Sequence, residues 1–221
     1  MGQALTYMDL TGRGPATRRD SKAFRRVATG YLSVESYVRS VTDRYEGVHS
    51  SSGRKKACRI TVPGNRLGTR DGSILATAER KIYPARLVHE FRFGTVPDCI
   101  VRDVASLNVR LCGDLYPCAG EFRAGFDTGR LEASLSGFRD IVFSGGGNAP
   151  DGIADMLSEL MAGGPFSVGN QITAMCYAAK LACRCGYELR FEAPDVPGVL
   201  CFAFRSSRGD DRRCIDLRGA A

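Results

Sequence analysis

Apolar residues recur at helical intervals along most of this sequence, and runs typical of strands are short. The spacing predicts helices over 73–91, 101–111, 152–162 and 171–185. The third is the clearest, because its apolar residues form one stripe of Ile153, Met156, Leu157 and Leu160. The segment 171–185 is apolar nearly all round, so we expect that helix in the centre of the core.

A few short runs have the alternation of β-strands instead. Residues 187–192 and 198–204 are separated by Pro194 and Pro197 and predict a small hairpin near the C-terminus. The run over 131–143 predicts a further strand or hairpin. The predicted fold class is therefore mainly α with a little β.

The first part of the chain has a different composition. Residues 1–59 are rich in Gly, Thr and Arg, and only 28–45 have the spacing of a short helix. We expect a basic, partly disordered N-terminal arm there. The folded domain is predicted over 60–190, followed by a hairpin and tail over 191–221.

Positive charge is concentrated in the same front part. Residues 1–100 hold 18 Lys and Arg against 9 Asp and Glu, whereas 101–221 hold 13 against 15. The basic clusters at 18–26 and 54–59 suit an anionic membrane, an acidic protein or nucleic acid, or form a solvated arm. Few aromatic residues that could stack on bases lie among them, so a nucleic-acid-binding module is the weakest alternative.

The start M-G-x-x-x-[ST] predicts myristoylation at Gly2, with the 18–26 cluster as the second membrane signal.

Composition excludes several classes of protein. No stretch approaches the roughly 18 apolar residues of a membrane helix, and the first residues lack the apolar region of a secretory signal. Nine Cys without a repeating spacing and two His give no zinc pattern. We therefore expect a reduced, cytoplasmic chain with no metal site.

The segment 163–170 offers the clearest candidate chemistry. It separates two predicted helices, and Asn170 is expected to be the N-cap of the second. Gly169 before it would leave backbone N–H groups exposed at the positive end of the helix dipole. Such an arrangement can hold a phosphate or another anion, although a helix capped by its own loop has the same sequence pattern.

Several segments resemble the Fic (Fido) family of protein adenylyltransferases, in the order and spacing of that family. LNVRLCGDLYPCAGEFR at 107–123 is similar to the family's IHxxLFGDLYPWAGExR, and PGNRLGTRD at 63–71 to PGTNxLxNKxGIxD. GPFSVGN at 164–170 is similar to HPFxxGN, and GYEL at 186–189 to the GYDL that follows the next helix.

The resemblance implies a Fido-like helical domain with a small β-hairpin flap, which transfers AMP from ATP, with Mg²⁺, to a hydroxyl of a target protein. In the family's signature HPFx[DE]GNGRxxR, the His takes the hydroxyl proton, the acid binds Mg²⁺ and the arginines stabilise the phosphates. Here Gly164 replaces the His and Val168 the acid, and the second glycine and both arginines are replaced by Gln171, Ile172 and Met175. The retained positions, to which the resemblance assigns nucleotide or anion binding, are Phe166, Gly169, Asn170 and Thr173.

Replacement chemistry would have to come from outside the signature. Glu121 and Arg123 are candidates, interpreted first as a local ion pair or structural contact, and Asp114 is a third. His49 and His89 are the only imidazoles in the chain, and His89 is expected at the surface rather than as a relocated base.

Two functional hypotheses follow from these residues. The leading one is a catalytically degenerate Fido protein, a pseudoenzyme that binds a partner protein and is similar to effectors that bacteria deliver into a host cytoplasm. The alternative is an active nucleotidyl or phosphoryl transferase with a non-standard site. That alternative requires Glu121, Arg123 and Asp114 to face a cleft beside Asn170.

Overall fold

The computed structural model describes residues 17–47, 64–95, 97–143, 148–192, 199–206 and 209–216. Four features of the sequence lie outside these residues: the Gly2 motif, His49, the 54–59 basic cluster and Pro63. In the described part of the chain, no helix is long and apolar enough to cross a membrane.

The described residues form seven helices and three strands. The helices are α1 (Arg18–Ala28), α2 (Val34–Tyr45), α3 (Gly72–Phe93), α4 (Val101–Cys112), α5 (Thr128–Phe143), α6 (Ala149–Gly163) and α7 (Asn170–Arg184). The strands are β1 (Glu188–Glu192), β2 (Val199–Ser206) and β3 (Gly209–Asp216). The prediction of a mainly helical fold is confirmed.

The first two helices belong to the core. Both begin at a side-chain cap, since Thr17 accepts from the N–H of Asp20 and Ser33 from that of Ser36. Their apolar faces pack on α3 and are buried, with Phe24, Val27, Val34 and Val38 at most 5% exposed. The prediction that this front part is an arm outside the core is therefore wrong for 17–47, because each helix has an apolar face with a partner.

An ion pair fixes α1 to α3. Lys81 Nζ donates to Asp20 Oδ1 at 2.6 Å, and Thr17 Oγ1 donates to Asp20 Oδ2 at 2.6 Å. Asp20 is buried although it lies in the most basic segment of the chain. Its negative charge is therefore neutralised by Lys81 inside the protein, and the cations of α1 lie on the solvent side.

The segment 131–143, predicted as a strand or hairpin, lies in helix α5. Leu131, Leu135 and Phe138 follow each other at helical spacing, and all three are buried. The prediction is wrong because these three residues need one face of a helix to reach the core together. The flap that the resemblance implied therefore has no strand pair over 131–143.

Helix α7 is the central helix, as its sequence predicted. From Ile172 to Ala182 every residue is buried. The only cation inside this stretch, Lys180, donates to the carbonyl oxygen of Glu90 at 2.9 Å and lies 3.4 Å from Glu90 Oε2. Helices α4 and α6 pack against α7 and complete the centre of the domain.

The chain ends in a three-stranded antiparallel sheet with the order β1-β2-β3. The predicted hairpin is confirmed as β1 and β2, in which Phe191 pairs with Phe202, and β3 was not predicted. Cys201 of β2 lies opposite Cys214 in the strand register and is disulfide-bonded. The prediction of a wholly reduced chain is therefore wrong at Cys201.

Candidate functional site

The candidate loop joins α6 to α7. Helix α6 ends at Gly163 with Gly164 as its C-cap, and α7 begins at Asn170. The N-cap is Gly169, which has a φ of 71°, and it makes no side-chain cap bond. The prediction that Asn170 is the N-cap is wrong, because Asn170 already has helical geometry and its side chain turns back to the loop.

Both polar atoms of the Asn170 side chain bond to a single residue of the loop. Its Oδ1 accepts from the N–H of Phe166 at 2.7 Å, and its Nδ2 donates to the carbonyl oxygen of Phe166 at 2.7 Å. Both ends of the amide therefore hold the loop closed over the start of α7. A side chain in this role shapes the loop, and these two bonds fix the orientation of its amide group.

Gly169 lies directly against α4. A Cβ at this position would overlap the Cys112 sulfur and would approach Asn108 Nδ2 to 3.2 Å. The positive φ adds a backbone conformation that other L-residues rarely adopt. A glycine is required here by the contact between loop and helix, in addition to any role in anion binding.

Sequence reasoning missed Asn108, which lies at the centre of this arrangement. It is 0% exposed, and its Nδ2 donates to the carbonyl oxygen of Val168 at 3.0 Å and to Thr173 Oγ1 at 2.9 Å. Its Oδ1 accepts from the N–H of Gly120 at 2.7 Å. The available signal was a polar residue on the buried face of α4, next to Leu107 and one turn from Leu111.

Two of the predicted binding residues are structural. Thr173 is buried and its hydroxyl accepts from Asn108. Phe166 is buried, pairs with Phe122 in an isolated antiparallel bridge and stacks on its ring at a centroid distance of 5.1 Å. Two of the four segments that carry the resemblance, 107–123 and 164–170, are therefore joined by hydrogen bonds and by ring stacking.

The positions where the resemblance places reactive residues are mostly in the core. Val168 is 8% exposed, Ile172 0% and Met175 3%. Apolar side chains at these positions neither bind a metal ion nor neutralise a phosphate. Among the described residues, no group of three or more His, Cys, Asp and Glu could hold a metal ion.

The three candidate substitutes do not meet at Asn170. The carboxylate of Asp114 accepts from Arg86 at 2.6 and 2.8 Å, on the side of α3. Arg123 donates through Nη2 to the carbonyl oxygen of Gly163 at 2.7 Å and thus braces the end of α6. Glu121 is exposed, and within the described residues its carboxylate has no partner, so the expected Glu121–Arg123 ion pair is not formed.

Burial also determines the chemistry of the thiols nearest the core. Cys176 of α7 is 0% exposed, and desolvation raises the pKa of its thiol to about 12. Desolvation likewise raises the pKa of Cys99 to about 11. At neutral pH both remain protonated, and a protonated thiol is a poor nucleophile.

These contacts show that hydrogen bonds and packing hold the 163–170 loop, and that its polar groups are not arranged around a reacting group.

A scan against family models finds none that matches this chain, and a search of curated proteins finds no similar one.

Proposed function

We propose that this chain is a Fido-like domain that has lost nucleotide transfer and acts by binding a partner protein. The observation that carries the proposal is the burial of Val168, Ile172 and Met175, where the family signature has its acid and its two arginines. A positioned base and transition-state charge stabilisers each contribute about 10²–10⁴ in rate. Gly164 and these three apolar residues supply neither.

The hydrogen bonds of the loop support the same proposal. Asn170 and Thr173 would have to present their polar groups to a nucleotide, but Phe166 and Asn108 already bind them. The alternative, a transferase with relocated residues, needs the Asp114 carboxylate beside Asn170. That carboxylate is held by both Nε and Nη2 of Arg86, which favours a domain without transfer chemistry.

The test is a calorimetric titration of the full chain with ATP and Mg²⁺, followed by incubation with labelled ATP and candidate target proteins. We expect no transferred label, and no binding tighter than about 1 mM at the 163–170 loop. Asn170→Ala is the control for this loop. Label transfer by the wild-type chain that Asn170→Ala abolishes would overturn the proposal and establish the transferase alternative.

A second proposal concerns α1, whose solvent side carries five exposed cations: Arg18, Arg19, Lys22, Arg25 and Arg26. Within the described residues none of them pairs with a carboxylate, because the one acid of α1, Asp20, is bound to Lys81. Tyr31 follows the helix and is 82% exposed. We propose that this basic face docks on an anionic membrane, at which each Lys or Arg contributes about 1 kcal/mol.

Vesicle sedimentation tests this docking. The full chain should bind phosphatidylserine-containing vesicles and lose that binding at high salt. It should not bind vesicles of phosphatidylcholine alone. The double change Arg25→Glu and Arg26→Glu should abolish binding, whereas Arg130→Glu, at an exposed cation of α5, should leave it unchanged. Equal binding by both variants would contradict the proposal, and binding of duplex DNA but not of vesicles would assign the face to nucleic acid.

A further inference from the structure

A cavity of about 450 Å³ lies on the side of α4 away from the 163–170 loop. It is a cleft open to solvent on one side and bordered by α2, α3, α4, Arg66 and the turn at 113–119, and its volume is that of a small-molecule site. Arg66, Arg86, Arg110 and His89 line it, together with three carboxylates. His89, expected at the surface, is half-buried there and packs on the ring of Phe93.

One of the three arginines is committed to the fold. Arg86 donates to both oxygens of Asp114, and its Nη1 lies 3.2 Å from Glu35 Oε1. Burial acts to lower the pKa of Arg86, but the hydrogen bonds and charge of Asp114 raise it above its usual value. This group fixes the wall of the cavity and has little capacity left for a ligand.

Among the described residues, the other two arginines bond to the protein through Nε alone, so their terminal nitrogens can donate to a ligand. Arg66 is exposed and uses Nε for the carbonyl oxygen of Gly113 at 2.8 Å. Arg110 uses Nε for Glu90 Oε1 at 2.8 Å. Within the described residues neither guanidinium has another partner. Two planar forks of N–H donors therefore border the same cavity.

The charges around the cavity do not cancel. Glu90 is shared between Arg110 and the buried Lys180, so Arg110 is only partly neutralised. The three carboxylates that line the cavity, Glu35, Glu90 and Asp114, equal its three arginines in number, and Lys180, which lies behind Glu90, adds one positive charge. An anion of low charge therefore fits this site. A triphosphate would meet repulsion from the same carboxylates.

The lining also has an apolar part. Val109, Pro117 and Ala119 border the cavity, and Val109 is 48% exposed although it lies on a core helix. A ligand that fits both parts has a charged head and an apolar body. The two guanidinium groups and the imidazole offer more N–H donors than the two oxygens of a carboxylate accept, whereas a phosphate monoester has three terminal oxygens.

We propose that this cavity binds a small organic phosphate monoester, with Arg66 and Arg110 donating to the phosphate and Val109, Pro117 and Ala119 contacting the body. The site shares no residue with the 163–170 loop. It is therefore independent of the loss of nucleotide transfer proposed above. Heat from ATP that Arg66→Gln removes and Asn170→Ala leaves would belong to this cavity.

The test uses phenyl phosphate, inorganic phosphate and benzoate on the full chain. Binding is read from the ring protons of His89 by NMR, assigned with His89→Gln, and from calorimetry. We expect the His89 signals to move, and phenyl phosphate to bind more tightly than either other probe, because only it supplies both the phosphate and the apolar body.

The variants identify the residues. Arg66→Gln and Arg110→Gln should each weaken phenyl phosphate binding by about tenfold or more. Arg130→Gln is the matched control, since Arg130 also pairs through Nε with a carboxylate, that of Glu159 at 3.0 Å. Arg66 is exposed, so Arg66→Gln decides the matter if Arg110→Gln does not fold.

Three results would overturn the proposal. The first is an absence of both heat and His89 shifts with all three probes. The second is unchanged phenyl phosphate binding in Arg66→Gln. The third is tighter binding of benzoate than of phenyl phosphate, which would show that the cavity prefers carboxylates.

Discussion

Asn108 Nδ2 donates to Thr173 Oγ1 at 2.9 Å and so joins the middle of α4 to the first turn of α7. The same carboxamide binds the carbonyl oxygen of Val168 and the N–H of Gly120. One buried side chain therefore holds two segments that are 60 residues apart in sequence. The 163–170 loop is therefore held from outside by Asn108 as well as from within by Asn170.

Replacing Asn108 should destabilise the protein. Asn108→Ala removes the partner of two polar groups in buried residues, the Thr173 hydroxyl and the Val168 carbonyl, and of the half-buried N–H of Gly120. An unpartnered buried polar group costs about 1–3 kcal/mol, so we expect a loss of about 3 kcal/mol in the free energy of unfolding. Equilibrium unfolding in urea measures it. Asn148→Ala is the control, because Asn148 is exposed and its side chain bonds only to Asp151 within the described residues. A loss no larger than that of the control would contradict the role given to Asn108.

Gly169 offers a test of the contact between loop and helix. Gly169→Ala should destabilise the protein by about 3 kcal/mol, since it combines a positive φ with overlap at the Cys112 sulfur. Gly125→Ala separates the two effects, because Gly125 has a φ of 79° and open space around its Cβ position. Its loss should be about 1 kcal/mol. Equal losses in the two variants, measured by thermal unfolding, would show that the contact with α4 contributes nothing.

The ion pair between α1 and α3 should make stability depend on pH. Burial acts to raise the pKa of Asp20, but the hydrogen bonds from Lys81 and Thr17 outweigh it, and the pKa is lowered in the folded state. The carboxylate then contributes stability above its unfolded pKa of about 3.9 and loses it as pH falls through the folded value.

We therefore expect Asp20→Asn to be less stable than wild type at pH 7 by about 1 kcal/mol, and the difference to shrink below about pH 4. Melting temperatures of both proteins over this range give the answer. Asp43→Asn, at an exposed carboxylate of α2, should show almost no difference from wild type at any pH. A gap between Asp20→Asn and wild type that stays constant with pH would argue against the ion pair.

The thiols of α7 should differ sharply in reactivity. Cys183 is exposed, whereas Cys176 is 0% exposed and has its pKa raised to about 12 by burial. A maleimide reagent should label Cys183 in the native protein and Cys176 only after unfolding, as read by peptide mass spectrometry. Comparable native labelling of both would mean that α7 is not the central helix.

Most of the fold prediction rests on helical periodicity. The prediction was wrong where glycines interrupt the periodic pattern. Ile153, Leu157 and Leu160 form an uninterrupted stripe, and α6 was predicted close to its observed bounds. Helix α5 contains Gly129 and Gly137, which weaken the helical signal although Leu131 and Leu135 have the right spacing. Local sequence could not decide between strand and helix there.

Helix α1 was missed because six of its eleven residues are charged. Only Phe24 and Val27 provide an apolar signal, and Asp20 is buried through a contact with Lys81, 61 positions away. The sequence also located the 163–170 loop, but it did not predict which hydrogen bonds its residues make. Asn170 bonds to Phe166 and Thr173 to Asn108, and such pairings depend on how helices pack rather than on spacing along the chain.

The apolar side chains at the start of α7 also limit which substitutions the core can accept. Ile172 and Met175 are so completely enclosed that an arginine at either position would place a guanidinium in the core. Removing a charge from water in this way costs several kcal/mol, a large part of the stability of an ordinary domain. A single arginine at either position would therefore destabilise the protein strongly. Positive charge can enter the start of α7 only if the residues packed around it change as well.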